Sequence, residues 1–289
     1  MRWLLFAIAI LFHSSSFARS YDDVMQSGFI SIAVYRDFPP YSFLEDEIPR
    51  GIDIEIGRQI AAEMGLEPRW FWLTADENLE DDLRNGIWKG AILDSDKQVA
   101  DIMLRVPYDR EFAYAIDGYG QAKNERVVMF APYHRESWRI VRDTAKTGTV
   151  RNLAIFRYEK IGVEIDSLPD FFLSGTLGGQ LRENVVHFPT VFEALEAMSA
   201  GELGAVAGMK SQLEWGLSQQ KAQFDISADG FEQLLRKEWD IGVAADSSYR
   251  QLSYAIEEIL ETMVRDGAIK KIFSAYQVNF QTPEFYSNN

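Results

Sequence analysis

The sequence predicts an α/β protein of two lobes, each a mainly parallel sheet flanked by helices, joined by two chain crossings that act as a hinge. Three observations carry this. Stretches of strand and helix period alternate β-α-β-α-β over roughly the first hundred residues, an order that implies parallel strands covered by helices. A second alternating unit begins near Lys160, and amphipathic stretches close the chain after it. Two such units imply a cleft, and ligands of folds of this kind sit outside the carboxyl ends of the strands, between lobes.

Gly28 to Tyr35 (GFISIAVY) alternates as a strand, and Phe38-Pro39-Pro40-Tyr41 ends it in a loop. Ile52, Ile56, Ile60 and Met64 form one apolar stripe of a helix that opens after Gly51 and stops at Gly65. Glu67 to Leu73 (EPRWFWL) is the next strand; its Trp70-Phe71-Trp72 run should put two rings on one face and one on the other, as core. Thr74 to Trp88 is expected as an N-capped helix and Val99 to Val106 as a third strand. Arg126 to Arg142 reads as a connecting region, and Asp143 to Arg151 as a loop.

The second unit follows. Lys160 to Ile165 is a strand, Ser167 caps a helix with proline in its first turn, and Val185 to Phe188 is a short strand. Thr190 to Ala200 is a helix stopped by Gly201, and Leu203 to Ala207 and Trp239 to Ala245 are strands. Leu252 to Phe273 carries two helices separated by Gly267. The expected division is a leader at 1–20, a first lobe of 21–137 plus 246–289, and a second lobe with the hinge strands at 138–245.

Composition narrows the function classes. The chain has 289 residues, 47% hydrophobic and 25% charged, which is ample for a packed core without staples. It has no cysteine, which excludes disulfides, thiolate metal sites and a cysteine nucleophile. A formal charge of −15 disfavours nucleic-acid binding. Met1-Arg2, the apolar run Trp3 to Phe12 and the small-x-small stretch Ser16-Phe17-Ala18, with Ala18-Arg19-Ser20 as an alternative, form a secretory signal peptide. The apolar run is about ten residues, too short for a bilayer. The mature protein is therefore expected in the periplasm, with no membrane insertion after cleavage.

Several stretches in this order resemble the family 3 extracellular solute-binding proteins of ABC importers. They are ISIAVYRDFPPYSF, RGIDIEIGRQIAAEMGLEPRW, KIGVEIDSLPD, FEALEAMSAGELGAVAG and the long run that starts at WDIGVAADSSYRQL. The resemblance implies the type II periplasmic-binding-protein fold. A narrower set, including WFWLTADENLEDDLRNGIWKG, ADIMLRVPYDREFA, VVMFAPYHRE and GGQLRENVVHFPT, is similar to the MoxJ/XoxJ-type proteins encoded beside pyrroloquinoline-quinone (PQQ) methanol dehydrogenases. That resemblance implies a non-catalytic accessory or maturation factor whose partner is a quinoprotein alcohol dehydrogenase. The importer component for a small polar solute is the alternative, and a dehydratase-like enzyme a third.

The resemblance also points to ligand-cleft residues. Amino-acid-binding members clamp the α-carboxylate with an arginine in a T-x-x-R motif, a task that suits a bidentate guanidinium. Here the matching stretch ends at Arg110 without its threonine, and Arg126, before the F-A-P-Y stretch, is the other candidate. Asp37, Tyr41 and Phe43 would line the first-lobe rim. In the second lobe the family's ammonium-binding aspartate is replaced by Met209, and its glycine-threonine pair by Asp166-Ser167. Methionine cannot neutralise an ammonium, so these departures speak against an ordinary amino-acid ligand.

No catalytic residue, metal ligand or cofactor is expected. Of the histidines only His134 and His187 lie outside the leader, and His187 reads as structural. No nucleophile elbow, H-E-x-x-H or P-loop occurs. The acidic runs Glu45-Asp46-Glu47 and Asp76 to Asp82 lack the spacing of a calcium loop and read as solvated faces.

Overall fold

The computed structural model describes residues 18–148, 152–219, 224–227, 231, 234 and 237–287. The expected leader lies outside the described residues as far as position 17, and residues 149–151 of the expected loop lie outside them too.

In chain order the first half runs α1 (Tyr21–Ser27), β1 (Phe29–Tyr35), the hairpin β2 (Phe43–Glu45) and β3 (Ile48–Arg50), α2 (Ile52–Glu63), β4 (Glu67–Leu73), α3 (Leu79–Leu83), β5 (Ile102–Pro107), α4 (Arg110–Ala113) and β6 (Val127–Arg142). Then follow α5 (Thr144–Thr147), β7 (Ile161–Glu164), α6 (Leu168–Gly179), β8 (Val185–Phe188), α7 (Val191–Ser199), β9 (Ala205–Met209), α8 (Lys210–Ser218), β10 (Asp225–Ile226), β11 (Glu238–Asp246), α9 (Arg250–Arg265), α10 (Ala268–Ala275) and α11 (Glu284–Ser287).

The main sheet has the order β4-β1-β5-β11-β6-β9-β7-β8, with β10 on β6. Strands β4, β1 and β5 are parallel, as are β9, β7 and β8. The antiparallel strands β6 and β11 join the two parallel groups. The 16-residue β6 starts against β11 at Val127 and ends against β9 at Arg142, so one strand serves both lobes. The region expected as a connection is therefore continuous strand. Its alternation is hidden because its residues are buried on both faces over much of its length, which removes the polar half of a strand pattern.

Each half has its own core. In the first, Ile32, Ile56, Ile60, Leu104, Ile256 and Phe273 pack under α2, α9 and α10, and a second cluster holds Leu83, Ile87 and Met103 on the other face. Trp70 and Trp72 pack on the former and Phe71 on the latter, as the strand period requires. The other half has Ile161, Val163 and Leu173 on one face and Leu195, Met198 and Val206 on the other. Truncating one of the fully buried isoleucines to alanine would cost about 2–5 kcal/mol.

Two local expectations change. The Thr74–Trp88 helix shrinks to α3, because Asn78 rather than Thr74 caps it, accepting from Asp81 N at 2.9 Å, and a π-turn over Arg84–Trp88 ends it. The Asp143–Arg151 loop begins with one helical turn, α5, capped by Asp143. At the second crossing, Ile241 to Ala245 of β11 pair with β5, so this crossing strand lies in the first sheet.

Candidate functional site

The loop after β1 is built by its own backbone. Phe38 N donates to Ser42 O at 2.7 Å and Tyr41 N to Phe38 O at 2.9 Å. Helix α2 has no side-chain cap; instead Pro40 O and Tyr41 O accept from Ile52 N and Asp53 N, both at 2.9 Å. That ties the loop to the helix start and brings Tyr41 and Asp53 inward, where both are buried. Gly51 makes this approach feasible. Its φ is +124°, and a Cβ there would stand 2.1 Å from Tyr41 O.

Arg105 enters from β5 at a bulge. The register against β11 passes from Leu104↔Val243 to Val106↔Gly242, leaving Arg105 unpaired with φ +66°. Its buried guanidinium lies 3.7 Å from the centre of the Tyr41 ring and 4.5 Å from that of Phe38. Nη2 donates to Met209 Sδ, at the end of β9, at 3.1 Å, and Nη1 is buried with no hydrogen-bond partner.

Glu136, on β6, is buried beside this group. Its Oε2 accepts from Tyr41 OH at 2.8 Å and from the Ser211 hydroxyl; its Oε1 accepts from Ser137 N at 2.8 Å and Ser211 N at 3.5 Å. Asp53 accepts from Tyr133 OH at 2.8 Å. Burial pushes the Asp53 carboxyl up to about 7, against the pull of Arg105 and of the Tyr133 hydroxyl. Burial likewise holds the Tyr41 and Tyr133 hydroxyls well above their usual range, with Glu136 adding to it at Tyr41 and Asp53 at Tyr133.

The two lobes meet across this cluster. Besides Arg105–Met209 and Tyr41–Glu136–Ser211, the Phe43 and Trp215 ring centres are 5.9 Å apart. Glu214 of α8 accepts from Asn279 N and Asn279 Nδ2, each at 2.8 Å.

Of the cleft residues expected from sequence, Tyr41, Phe43 and Met209 come together here. Asp37 is exposed in a left-handed turn of the same loop, with φ +52°. Asp166 and Ser167 follow β7 at the edge where β9 ends in Met209; Ser167 caps α6, and exposed Asp166 donates its N–H to Asp170 at 3.1 Å.

Neither expected arginine joins them. Arg126 pairs with Asp246 at 3.5 Å, next to the Ala245↔Ile102 pair where β5 begins, and thus at the end of the strands away from the cleft. Arg110 opens α4 and lines a separate surface cavity of about 430 Å³ with Tyr108, Ala113, Met129 and Phe285.

His187 contacts Asp170 at 3.0 Å. The Glu45–Glu47 run forms the β2–β3 turn. Asp82 accepts from Asp76 N and Tyr35 OH, both at 2.7 Å.

Sequence reading missed Arg105, Glu136, Asp53 and Ser211. The usable signal was a charged residue inside an apolar strand, as in IMLRVP: such a charge has to be matched by something in the fold.

A two-lobed frame with polar groups converging between the lobes defines a type II periplasmic binding protein. The chain belongs to the bacterial extracellular solute-binding proteins, family 3, whose sequence model matches residues 30–279. Proteins of this family typically work in the periplasm or outside the cell, and no helix among the described residues is long and apolar enough to cross a membrane. No curated protein sequence matches the chain.

Solved structures share the fold at low identity. An ancestral cationic amino acid solute-binding protein is 15% identical with a TM-score of 0.68, covering 88% of this chain and 98% of that one. An amino acid ABC transporter substrate-binding protein of Streptococcus pneumoniae, bound to L-arginine, is 16% identical with a TM-score of 0.59, covering 89% and 97%. The solute receptor for L-cysteine of Neisseria gonorrhoeae is 17% identical with a TM-score of 0.59, covering 89% and 93%. A further ancestral amino acid-binding neighbour, 15% identical with a TM-score of 0.58, is described as a precursor of cyclohexadienyl dehydratase.

Proposed function

We propose that this protein is a non-catalytic receptor, exported by a cleavable leader, that holds a small solute between its lobes as the binding component of an ABC importer. The supporting observation is Arg105: a buried guanidinium on the line where the lobes meet, with Nη1 unpartnered. A buried charge with unmet donors suits a site that a ligand completes. Native mass spectrometry of the protein purified from its own periplasm tests this. The expected result is a monomer carrying a small-molecule increment.

A second reading is an accessory factor for a PQQ-dependent alcohol dehydrogenase. Two observations favour it: the long MoxJ/XoxJ-like stretches, and a cleft in which Glu136 is already bound from both lobes by Tyr41 and Ser211. A complex with a dehydrogenase subunit, without an increment on the free monomer, would establish it in place of the receptor reading. Saturable turnover of prephenate would overturn both in favour of an enzyme.

A further inference from the structure

We infer that the cleft takes a small organic carboxylate carrying no ammonium group, anchored by Arg105. This rests on the receptor reading and names the ligand class of the same site.

A guanidinium presents a planar fork of N–H donors that matches a carboxylate in two parallel hydrogen bonds. At Arg105 one arm of the fork meets only a thioether, a weak acceptor, and the other meets nothing. The neighbouring acids are committed elsewhere. Both oxygens of Glu136 are taken by Tyr41, Ser137 and Ser211, and Asp53 takes the Tyr133 hydroxyl. The rings of Tyr41 and Phe38, centred 3.7 and 4.5 Å from the guanidinium carbon, pack against Arg105 and restrict where its fork can point.

The second-lobe residue that faces Arg105 gives an ammonium no counter-charge. Across from Arg105 stands Met209, whose sulfur cannot neutralise a cation. The rings that could attract a second cation already carry Arg105, so a ligand ammonium beside them would meet like charge. Hydroxy acids and keto acids satisfy the fork without that conflict; α-amino acids do not.

Calorimetric titration of the intact mature protein with matched probes tests this: L-lactate, L-alanine and lactamide, then 3-phenyllactate, L-phenylalanine and phenyllactamide. In at least one series the hydroxy acid binds, its amino-acid counterpart is weaker by at least roughly tenfold, and the amide does not bind. Arg105→Gln, with near-ultraviolet circular dichroism to show retained packing, abolishes binding, whereas Arg105→Lys keeps part of it. Met209→Asp shifts preference towards the amino acid, a gain that misfolding cannot imitate.

The inference is overturned if neither hydroxy acid binds, if the amino acid binds as tightly, or if binding survives Arg105→Gln. Should a neutral or cationic metabolite prove to be the ligand, the carboxylate inference fails and the receptor reading stands. Should a broad metabolite screen, amino acids included, give no ligand at all, the receptor reading fails with it.

Discussion

Tyr41 and Ser211 come from opposite lobes, yet both hydroxyls donate to the same oxygen, Oε2 of Glu136. Glu136 sits on β6, the strand that runs through both sheets, so this carboxylate fastens the lobes at their hinge. Replacing it strands four buried donors: the Tyr41 and Ser211 hydroxyls and the Ser137 and Ser211 amides. We expect Glu136→Ala to lower unfolding stability by about 2–4 kcal/mol, because the donors remain buried. It should also raise the radius of gyration in small-angle scattering as the lobes part. An unchanged radius would mean that Phe43–Trp215 and Glu214–Asn279 hold the lobes together without it.

Asp53 gives the fold a pH dependence of definite sign. Its carboxyl titrates at about 7 in the folded protein and near its ordinary 3.8 when unfolded. Below both values the group is neutral in each state. Between them the unfolded chain releases the proton and the folded one keeps it, so stability falls as pH rises through this window and levels off above about 7. Asp53→Asn keeps an acceptor for Tyr133 and removes the titration. Chemical denaturation at pH 5 and pH 7.5 should show the wild type losing about 2–3 kcal/mol relative to this variant. A constant difference between the two would show that Asp53 keeps the same charge throughout.

Gly51 is the residue on which the cleft loop depends. With φ +124° and a would-be Cβ 2.1 Å from Tyr41 O, any side chain must push the loop away from α2. Gly51→Ala should destabilise by about 2–4 kcal/mol and move Tyr41 out from beneath Arg105. The readout is a lower Tm together with a changed near-ultraviolet tyrosine signal. An unchanged Tm would show that the loop has another packing of equal energy.

Much of the fold was legible because its signals are local. The helical stripe of α2, the cap at Ser167, the break at Gly267 between α9 and α10, and the split facing of Trp70-Phe71-Trp72 all follow from spacing within a few residues. The site was legible only in part. Tyr41 and Phe43 lie in the loop and hairpin after β1, and Met209 is the last residue of β9; this topology collects ligand-facing residues at such strand ends. Arg105 and Glu136 lie inside strands, and their proximity comes from a bulge and from a strand shared by two sheets, which are products of long-range pairing. Arg126 misled for the converse reason: sequence proximity to F-A-P-Y says nothing about which end of β6 meets the cleft, and Asp246 already claims that guanidinium.

Arg19 and Ser20, the last two residues of the expected leader, make contacts that bear on where the proposed leader is cleaved. Ser20 caps α1, accepting from Asp23 N at 3.2 Å, while Asp23 accepts from Ser20 N at 3.3 Å. Arg19 places Nε 2.9 Å from Asp101 Oδ1 and Nη2 on Oδ2 of the same carboxylate, and its guanidinium lies 4.1 Å from the centre of the Phe29 ring. Asp101 also accepts from Ser31 N at 2.7 Å, so this bidentate pair is fixed to β1. Cleavage after Ser20 would discard the cap and the arginine and leave buried Asp101 facing solvent-poor surroundings without its cation. Cleavage after Ala18, in Ser16-Phe17-Ala18, keeps both. Amino-terminal sequencing of the exported protein should therefore begin at Arg19, and a chain starting at Tyr21 should be less stable by about 1–3 kcal/mol. An exported protein that begins at Tyr21 with undiminished stability would show that the Arg19–Asp101 pair contributes nothing to the mature fold.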